Sequence, residues 1–236
     1  TALTELQLPD SLTAIPDHCF HNCTALRAMD IPQGVTSIGE NAFAYCTALE
    51  SVTFPEGLTS IGTGAFQCCQ KLQSAPLPQV LTELGSGAFI DCESLTEVII
   101  PEGITVLSSS VFSNCLALKT VTLPPTLMGM EFAAFQSCSS LTRVTIPETV
   151  TEIGEYAFYN CTKLVIALEA DALPATLGKS WRGSVPYVLG VDRVVCRQDT
   201  SFAVLKNGSA VLTRYYGEAE EYAVAAAVGN APVVGI

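Results

Sequence analysis

Val35-Thr36-Ser37-Ile38-Gly39-Glu40-Asn41-Ala42-Phe43-Ala44-Tyr45-Cys46-Thr47-Ala48-Leu49-Glu50-Ser51-Val52-Thr53-Phe54-Pro55-Glu56-Gly57 is one copy of a unit that recurs without slippage along most of the chain. Cysteine returns every 23 residues, at Cys23, Cys46, Cys69, Cys92, Cys115, Cys138 and Cys161. Phenylalanine keeps the same period three residues earlier, from Phe20 to Phe158, and leucine three residues later, from Leu26 to Leu164. A fixed period of this length marks stacked repeats. Within the unit, Ser51-Val52-Thr53-Phe54-Pro55 alternates as a strand that stops at its proline. Val35-Thr36-Ser37-Ile38-Gly39 is a second short alternation that returns the chain to the next Ala-Phe pair, and the segment from Gly39 to Cys46 leaves room for about two helical turns at most. A unit this small cannot bury its apolar positions alone, so the copies stack with parallel strands about 4.8 Å apart. The expected fold is a β-rich solenoid of the α/β type. It is a right-handed superhelix of about seven 23-residue rungs, with a parallel sheet along one side and the Phe and Cys columns inside.

Composition agrees with a large core. Of 236 residues, 49% are hydrophobic and 14% charged, against about 25% charged in ordinary globular chains, which excludes disorder. The longest uninterrupted apolar run, Tyr222 to Val228, falls far short of the roughly 18 residues of a membrane span. A net charge of -12 repels phosphate backbones and anionic head groups, so neither nucleic acid nor membrane insertion is expected. Residues 1–165 hold 16 acidic and 5 basic side chains, so a ligand of the solenoid is expected to be basic or neutral. Thr1 opens directly on an alternation of polar and apolar residues, which reads as no export signal within this chain.

The fuller unit, Val-Thr-Ser-Ile-Gly-x-x-Ala-Phe-x-x-Cys-x-x-Leu-x-x-Val-x-Ile-Pro, resembles the BspA-type leucine-rich repeat of bacterial surface proteins. Ile38, Gly39, Ala42, Phe43, Cys46, Leu49, Val52 and Pro55 carry the likeness, with Phe54 replacing the Ile, over about residues 1–165. The resemblance implies an exported or surface-attached bacterial protein that binds other macromolecules, host-derived ones among them; the spacing by itself implies only the fold.

Departures from the repeat carry separate expectations. Pro76 removes an N–H from the third strand, which should kink or bulge there. Met128-Gly129-Met130-Glu131-Phe132 replaces the usual Thr-Ser-Ile-Gly-x and leaves Phe132 at an exposed position, either as drift in one rung or as an apolar contact for a partner or a second copy. The register is lost after Leu164. Residues 166–199, with Trp181, read as a closing cap. Residues 200–236 read as a small β-hairpin module turning on Asn207-Gly208, leading into a further, incomplete repeat in which Val233 and Ile236 match Val35 and Ile38.

Catalytic parts are missing from the sequence. His18 and His21 are its two histidines, with no His-Glu-x-x-His helix and no Gly-x-Ser-x-Gly elbow. Gly62-Thr63-Gly64 and Gly85-Ser86-Gly87 are the repeat's own turns, and Gly178-Lys179-Ser180 has Leu173 where a phosphate loop needs glycine. No enzyme activity, cofactor or metal site is expected. Cysteines 23 apart lack the spacing of thiolate zinc ligands, and stacked Cβ atoms near 4.8 Å exceed the usual bridge distance. The column is therefore read as buried, reduced, small hydrophobes. Cys19 is expected to be buried too, Cys68 to be the exposed thiol, and Cys68 or Cys196 to react first with a thiol reagent. Asp10, Glu56, Glu102 and Glu148 form a solvated acidic edge, and Thr13, Thr36, Thr59, Thr82, Thr105 and Thr151 a structural column.

The regular surface that remains is the strand face, whose outward residues include Ser51, Thr53, Glu97, Ile99, Thr120, Thr122, Arg143 and Thr145. Small, Thr-rich and weakly charged, it is either a contact face for protein or glycan or a sheet merely solvated by residues it favours. Two functions stay open: a non-enzymatic extracellular recognition or adhesion module, cell-surface or secreted, and a structural spacer or stalk carrying another domain.

Overall fold

The computed structural model describes residues 6–189, 191–197, 200–206, 210–215, 227–228 and 231–235, with side chains through Leu189 and then at Val191, Leu205 and Lys206. The chain winds as a parallel β-solenoid whose strands, numbered in chain order, form two columns. The first holds β1 (Ala14–Ile15), β3 (Ser37–Ile38), β5 (Ser60–Ile61), β6 (Glu83–Leu84), β8 (Val106–Leu107), β10 (Gly129–Met130), β12 (Glu152–Ile153) and β14 (Thr176–Leu177). The second, the strand face, holds β2 (Ala28–Asp30), β4 (Ser51–Thr53), β7 (Glu97–Ile99), β9 (Thr120–Thr122), β11 (Arg143–Ile146), β13 (Val165–Leu168) and β15 (Tyr187–Val188).

Registers such as Ser37 on Ser60 and Val98 on Val121 keep the 23-residue offset, so like residues stack on like. Phe43 through Phe158 are fully buried, and from Phe20 to Phe158 successive rings stack with centroids 5.0 to 5.6 Å apart. That spacing lies within the favourable range for offset aromatic pairs.

The two columns are joined by consecutive tight turns rather than helix. The residue before each column cysteine is left-handed: Asn22, Tyr45, Cys68, Asp91, Asn114, Ser137 and Asn160 have φ between 58 and 62°. A left-handed residue every few positions stops a right-handed helix from propagating. Asparagine suits this conformation and cysteine does not. Replacing Cys68 by asparagine is expected to raise unfolding stability by about 1 kcal/mol, measured by denaturant titration, and a loss of stability would contradict the assignment.

Backbone and side chain share the stacking bonds. Each column thiol from Cys46 to Cys161 donates to the carbonyl of a Phe in the rung before, as Cys92 Sγ does to Phe66 O at 3.2 Å. Cysteine is small enough for the site and supplies the weak donor that the carbonyl accepts. The threonine column behaves alike, with Thr59 Oγ1 donating to Thr36 O at 3.1 Å. Burial pushes the Cys46 thiol up to about 12, and pushes Cys69, Cys92, Cys115 and Cys138 well above the ordinary thiol range.

Two cysteine expectations are corrected. Cys19 is exposed and Cys23 only half-buried, since among the described residues no turn segment stacks on the far side of theirs; Ala42, one rung on, is fully buried. Cys68 is half-buried rather than the most exposed, and burial, then the neighbouring Asp91 carboxylate, raises its thiol. Cys19 is thus the described thiol most open to reagents; the side chain of Cys196 lies outside the described residues.

Each column is broken once. Pro76 reduces the third strand of the strand face to a single bridge, Ser51 to Ser74, so the face splits into β2-β4 and a five-stranded sheet from β7 to β15. The first column splits one rung later, with no pairing between β6 and β8. Ser108 stands at this break, where Gly39, Gly62, Gly85 and Gly154 stand in other rungs; Glu131 replaces the same glycine one rung on, yet donates from its N to Leu107 O at 2.8 Å and leaves β8 paired with β10. Gly85 N donates to Ile61 O at 2.8 Å, and a Cβ there would lie 2.4 Å from Thr63 N, closer than atoms can pack. At Ser108 the side chain bridges the rungs instead, its hydroxyl donating to Leu84 O at 2.7 Å.

The stack runs one rung beyond the sequence expectation of about seven, to about eight. Trp181, which follows Phe158 by 23 residues, caps the ring column with its centroid 6.4 Å from Phe158, while β13, β14 and β15 extend both sheets. The register slips, since Arg143 pairs with Val165, 22 residues on, and Glu152 with Thr176, 24 on. From β13 through β15 the chain therefore continues the stack. A second sheet, ordered β16 (Val191–Arg197), β17 (Thr200–Leu205), β18 (Ala210–Tyr215), β20 (Ala231–Gly235) and β19 (Ala227–Val228), follows at once. In it β17 and β18 are antiparallel, and β20 pairs parallel with β18. Asn207-Gly208 and Ile236 lie outside the described residues.

Candidate functional site

Every outward residue expected on the strand face is exposed or, for Thr145, half-buried. The structure does not bring them all together. Ser51 and Thr53 sit on β4, beyond the Pro76 break from the rest. Glu97, Thr120 and Arg143 form one column by direct pairing, and Ile99 pairs with Thr122 beside it.

The local geometry changes between β9 and β11. Their ladder holds at Thr120 and Arg143 and then opens, leaving Thr122 and Thr145 without ladder pairing to each other. The opening is felt in the core. Val121 and Leu123 are half-buried, whereas Val98, Val144, Ile100 and Ile146, at the equivalent positions, are no more than 4% exposed. A concavity of about 430 Å³ results, with Val121 and Leu123 at its base and Glu97, Lys119, Thr120, Thr122, Arg143 and Thr145 around it. Ile99 is not part of its lining. On the far side Glu169 completes the rim, and beyond it the face closes: Ala167, which extends the Thr145 column, is buried against Val191 and Leu205. Lys206 pins this cover by an ion pair with Glu148 at 2.9 Å, which holds the Glu148 carboxyl below its usual range.

Electrostatically the opening differs from its surroundings. Lys119 and Arg143 line it together with Glu97 and Glu169, so two of the five basic residues of positions 1–165 gather at one charge-balanced spot on an acidic stack. Such an arrangement, an apolar base inside a ring of charges of both signs and hydroxyls, has the anatomy of a contact site. The sequence gives no sign of Val121 and Leu123 as surface residues, because both follow the inward alternation; Lys119 and Glu169 precede and follow strands and fall outside the outward pattern.

Phe132 lies on the other column, away from the strand face. It is 48% exposed and Met128 is 55% exposed, and Phe132 meets Tyr156 edge-on at 5.7 Å. Asp10, Glu56, Glu102 and Glu148 are all exposed. Among the described residues no group of three or more His, Cys, Asp or Glu is placed to hold a metal ion, and no helix is long and apolar enough to cross a membrane.

The BspA type leucine rich repeat region, in six copies, matches residues 1–119 and 82–169. The chain belongs to the BspA-type leucine-rich repeat family. Among solved structures, this BspA-type chain is 35% identical to a leucine rich cell surface protein of Faecalibacterium prausnitzii A2-165, with a TM-score of 0.66. The match covers 87% of the chain and 50% of that protein, so the chain spans about half its relative's length. A leucine-rich repeat protein from Bacteroides ovatus ATCC 8483 is 29% identical, with a TM-score of 0.65, over 79% of this chain and 56% of that one. The leucine rich repeat protein of T. pallidum is also 29% identical, with a TM-score of 0.64, over 66% of this chain and 76% of that one. No curated protein matches the chain. Against this BspA-type background the Pro76 and Ser108 breaks and the β9–β11 opening are departures from the repeat's own regularity.

Proposed function

We propose that this chain is a non-catalytic recognition module of a bacterial surface or secreted protein, and that it engages a protein partner through the β9–β11 opening of its strand face. The observation that carries the reading is the opening itself, where Val121 and Leu123 become accessible inside a charge-balanced rim on an otherwise acidic stack. A protein is favoured over a glycan because the strand-face lining contains no aromatic ring on which a sugar could stack. The cell-surface description of the F. prausnitzii relative supports the extracellular setting.

The test is a binding screen of the chain against immobilised host matrix proteins and glycans, followed by Thr122→Lys with Thr145→Lys. The double variant is expected to abolish binding while each exposed substitution changes stability by no more than about 0.5 kcal/mol. Unchanged affinity would remove the strand face from consideration. No binder in the screen, with the fold intact, favours instead the spacer reading, in which the stack holds another domain at a distance.

A further inference from the structure

The outward positions of the first column read Ser37, Ser60, Glu83, Val106, Gly129, Glu152 and Thr176 by direct pairing, apart from the β6–β8 break. Gly129 is the one position among them without a side chain, and the backbone does not require it. Its φ is not left-handed, and a Cβ there would meet only Glu152, at 3.5 Å from the carbonyl oxygen and 3.8 Å from Cβ. The missing side chain leaves room at the base of a concavity of about 720 Å³. Val106, Met128 and Phe132 stand at its edge, 44%, 55% and 48% exposed, a density of large apolar side chains that isolated surface residues do not produce. The Phe132 ring is braced edge-on by Tyr156, which is braced in turn by Tyr159 at 5.4 Å.

The rim is acidic. Glu131, Glu152 and Glu155 line the concavity and no Lys, Arg or His does. Glu131 is committed, since its Oε2 accepts from Ser109 N and Oγ at 2.9 and 2.8 Å. The carboxylates of Glu152 and Glu155 have no hydrogen bond or ion pair with the described residues. An apolar floor with an aromatic face and free carboxylates at its lip is the complement of one kind of side chain, an aliphatic stem ending in a cation.

We propose that this concavity is a second docking site, which takes an arginine or lysine side chain from an extended segment of a partner protein in which basic and apolar residues alternate. The stem lies over Gly129 between Met128 and Val106, and the cation meets Phe132, Glu152 and Glu155. Charge decides against a second copy of this chain as occupant, because a net charge of -12 makes self-association repulsive, and against anionic lipid for the same reason.

The probe is a fluorescein-labelled peptide of alternating arginine and leucine, titrated with the 236-residue chain and followed by fluorescence anisotropy, beside a glutamate–leucine counterpart. The arginine peptide is expected to bind and the glutamate peptide not to. Met128→Thr, Gly129→Ser and Phe132→Glu together restore the residues of the Phe43 rung (Thr36, Ser37 and Glu40), and are expected to weaken binding about tenfold or more without lowering the melting temperature. Two controls separate this from diffuse attraction and from the strand face. Glu56→Gln with Glu102→Gln, and separately Thr122→Lys with Thr145→Lys, should each leave peptide affinity within about twofold. Absence of arginine-peptide binding, survival of full affinity in the restored triple variant, or an equal loss in either control overturns the proposal.

Discussion

Above about pH 9 the folded chain is expected to lose stability at up to about 5.5 kcal/mol per pH unit, because four buried thiols each contribute up to about 1.4 kcal/mol per unit. Cys69, Cys92, Cys115 and Cys138 are held protonated by burial, whereas thiols of the unfolded chain ionise near 8.5. Below that value both states carry the protons and the stability from the column is fully present. Above it the unfolded state binds fewer protons than the folded one, so rising pH favours unfolding until the folded thiols themselves ionise. Cys46, pushed up to about 12 and nearer the end of the stack, adds a smaller increment. A domain with roughly 5 to 15 kcal/mol to lose should unfold within one to three pH units of this onset. Denaturant titrations at pH 7, 8, 9 and 10 in the presence of reductant measure it, and Cys92→Ala should reduce the slope by about 1.4 kcal/mol per unit. A flat profile through pH 10 would mean that the thiols ionise in place and that the column admits water.

Truncating one ring in the middle of the stack should be the most damaging single substitution. Phe89→Ala is expected to cost about 3 to 5 kcal/mol, the range for phenylalanine cavities in close-packed cores. The ring is fully buried and sandwiched between Phe66 at 5.2 Å and Phe112 at 5.6 Å, so the cavity cannot collapse without disturbing two further rungs. Phe20→Ala should cost less, since Phe20 is 8% exposed and has one stacked neighbour. Equal losses at the two sites would show that the rings act independently rather than as a column.

The periodic part of the molecule was legible because each rung repeats the same solution to the same burial problem. Cys, Phe and Leu recur at positions that face inward whatever the outward residues do. Pro76 was also readable, since the lack of an N–H has the same consequence in any parallel ladder. The break beside Ser108 has no signature in the sequence: the close approach of neighbouring rungs there is a distance between copies, invisible within one, and Glu131 at the same position keeps its ladder. The eighth rung left a trace in Trp181, 23 residues after Phe158, but Ser184 in place of cysteine and the one-residue slip at Val165 hid the remainder. The outward residues of the candidate site followed from alternation. Its base did not, because Val121 and Leu123 obey the inward pattern and become accessible only where β11 parts from β9. Cys19 departs from the pattern because a repeat treats every rung alike, while burial depends on a stacked neighbour on each side, and among the described residues Cys19 has one on one side alone.

The breaks at Pro76 and Ser108 fall on opposite sides of the Phe89 rung. Its strand β6 bonds to the rung before it, and its strand β7 to the rung after. The arrangement is that of staggered joints in masonry: at either joint one wall is cut and the opposite wall runs through, so no plane across the stack is free of ladder bonds. Had both interruptions met at one interface, the solenoid would have been two blocks joined by turns and side chains alone. Offset by a single course, each interruption is spanned by an intact ladder on the opposite wall, so the stack stays continuous through both.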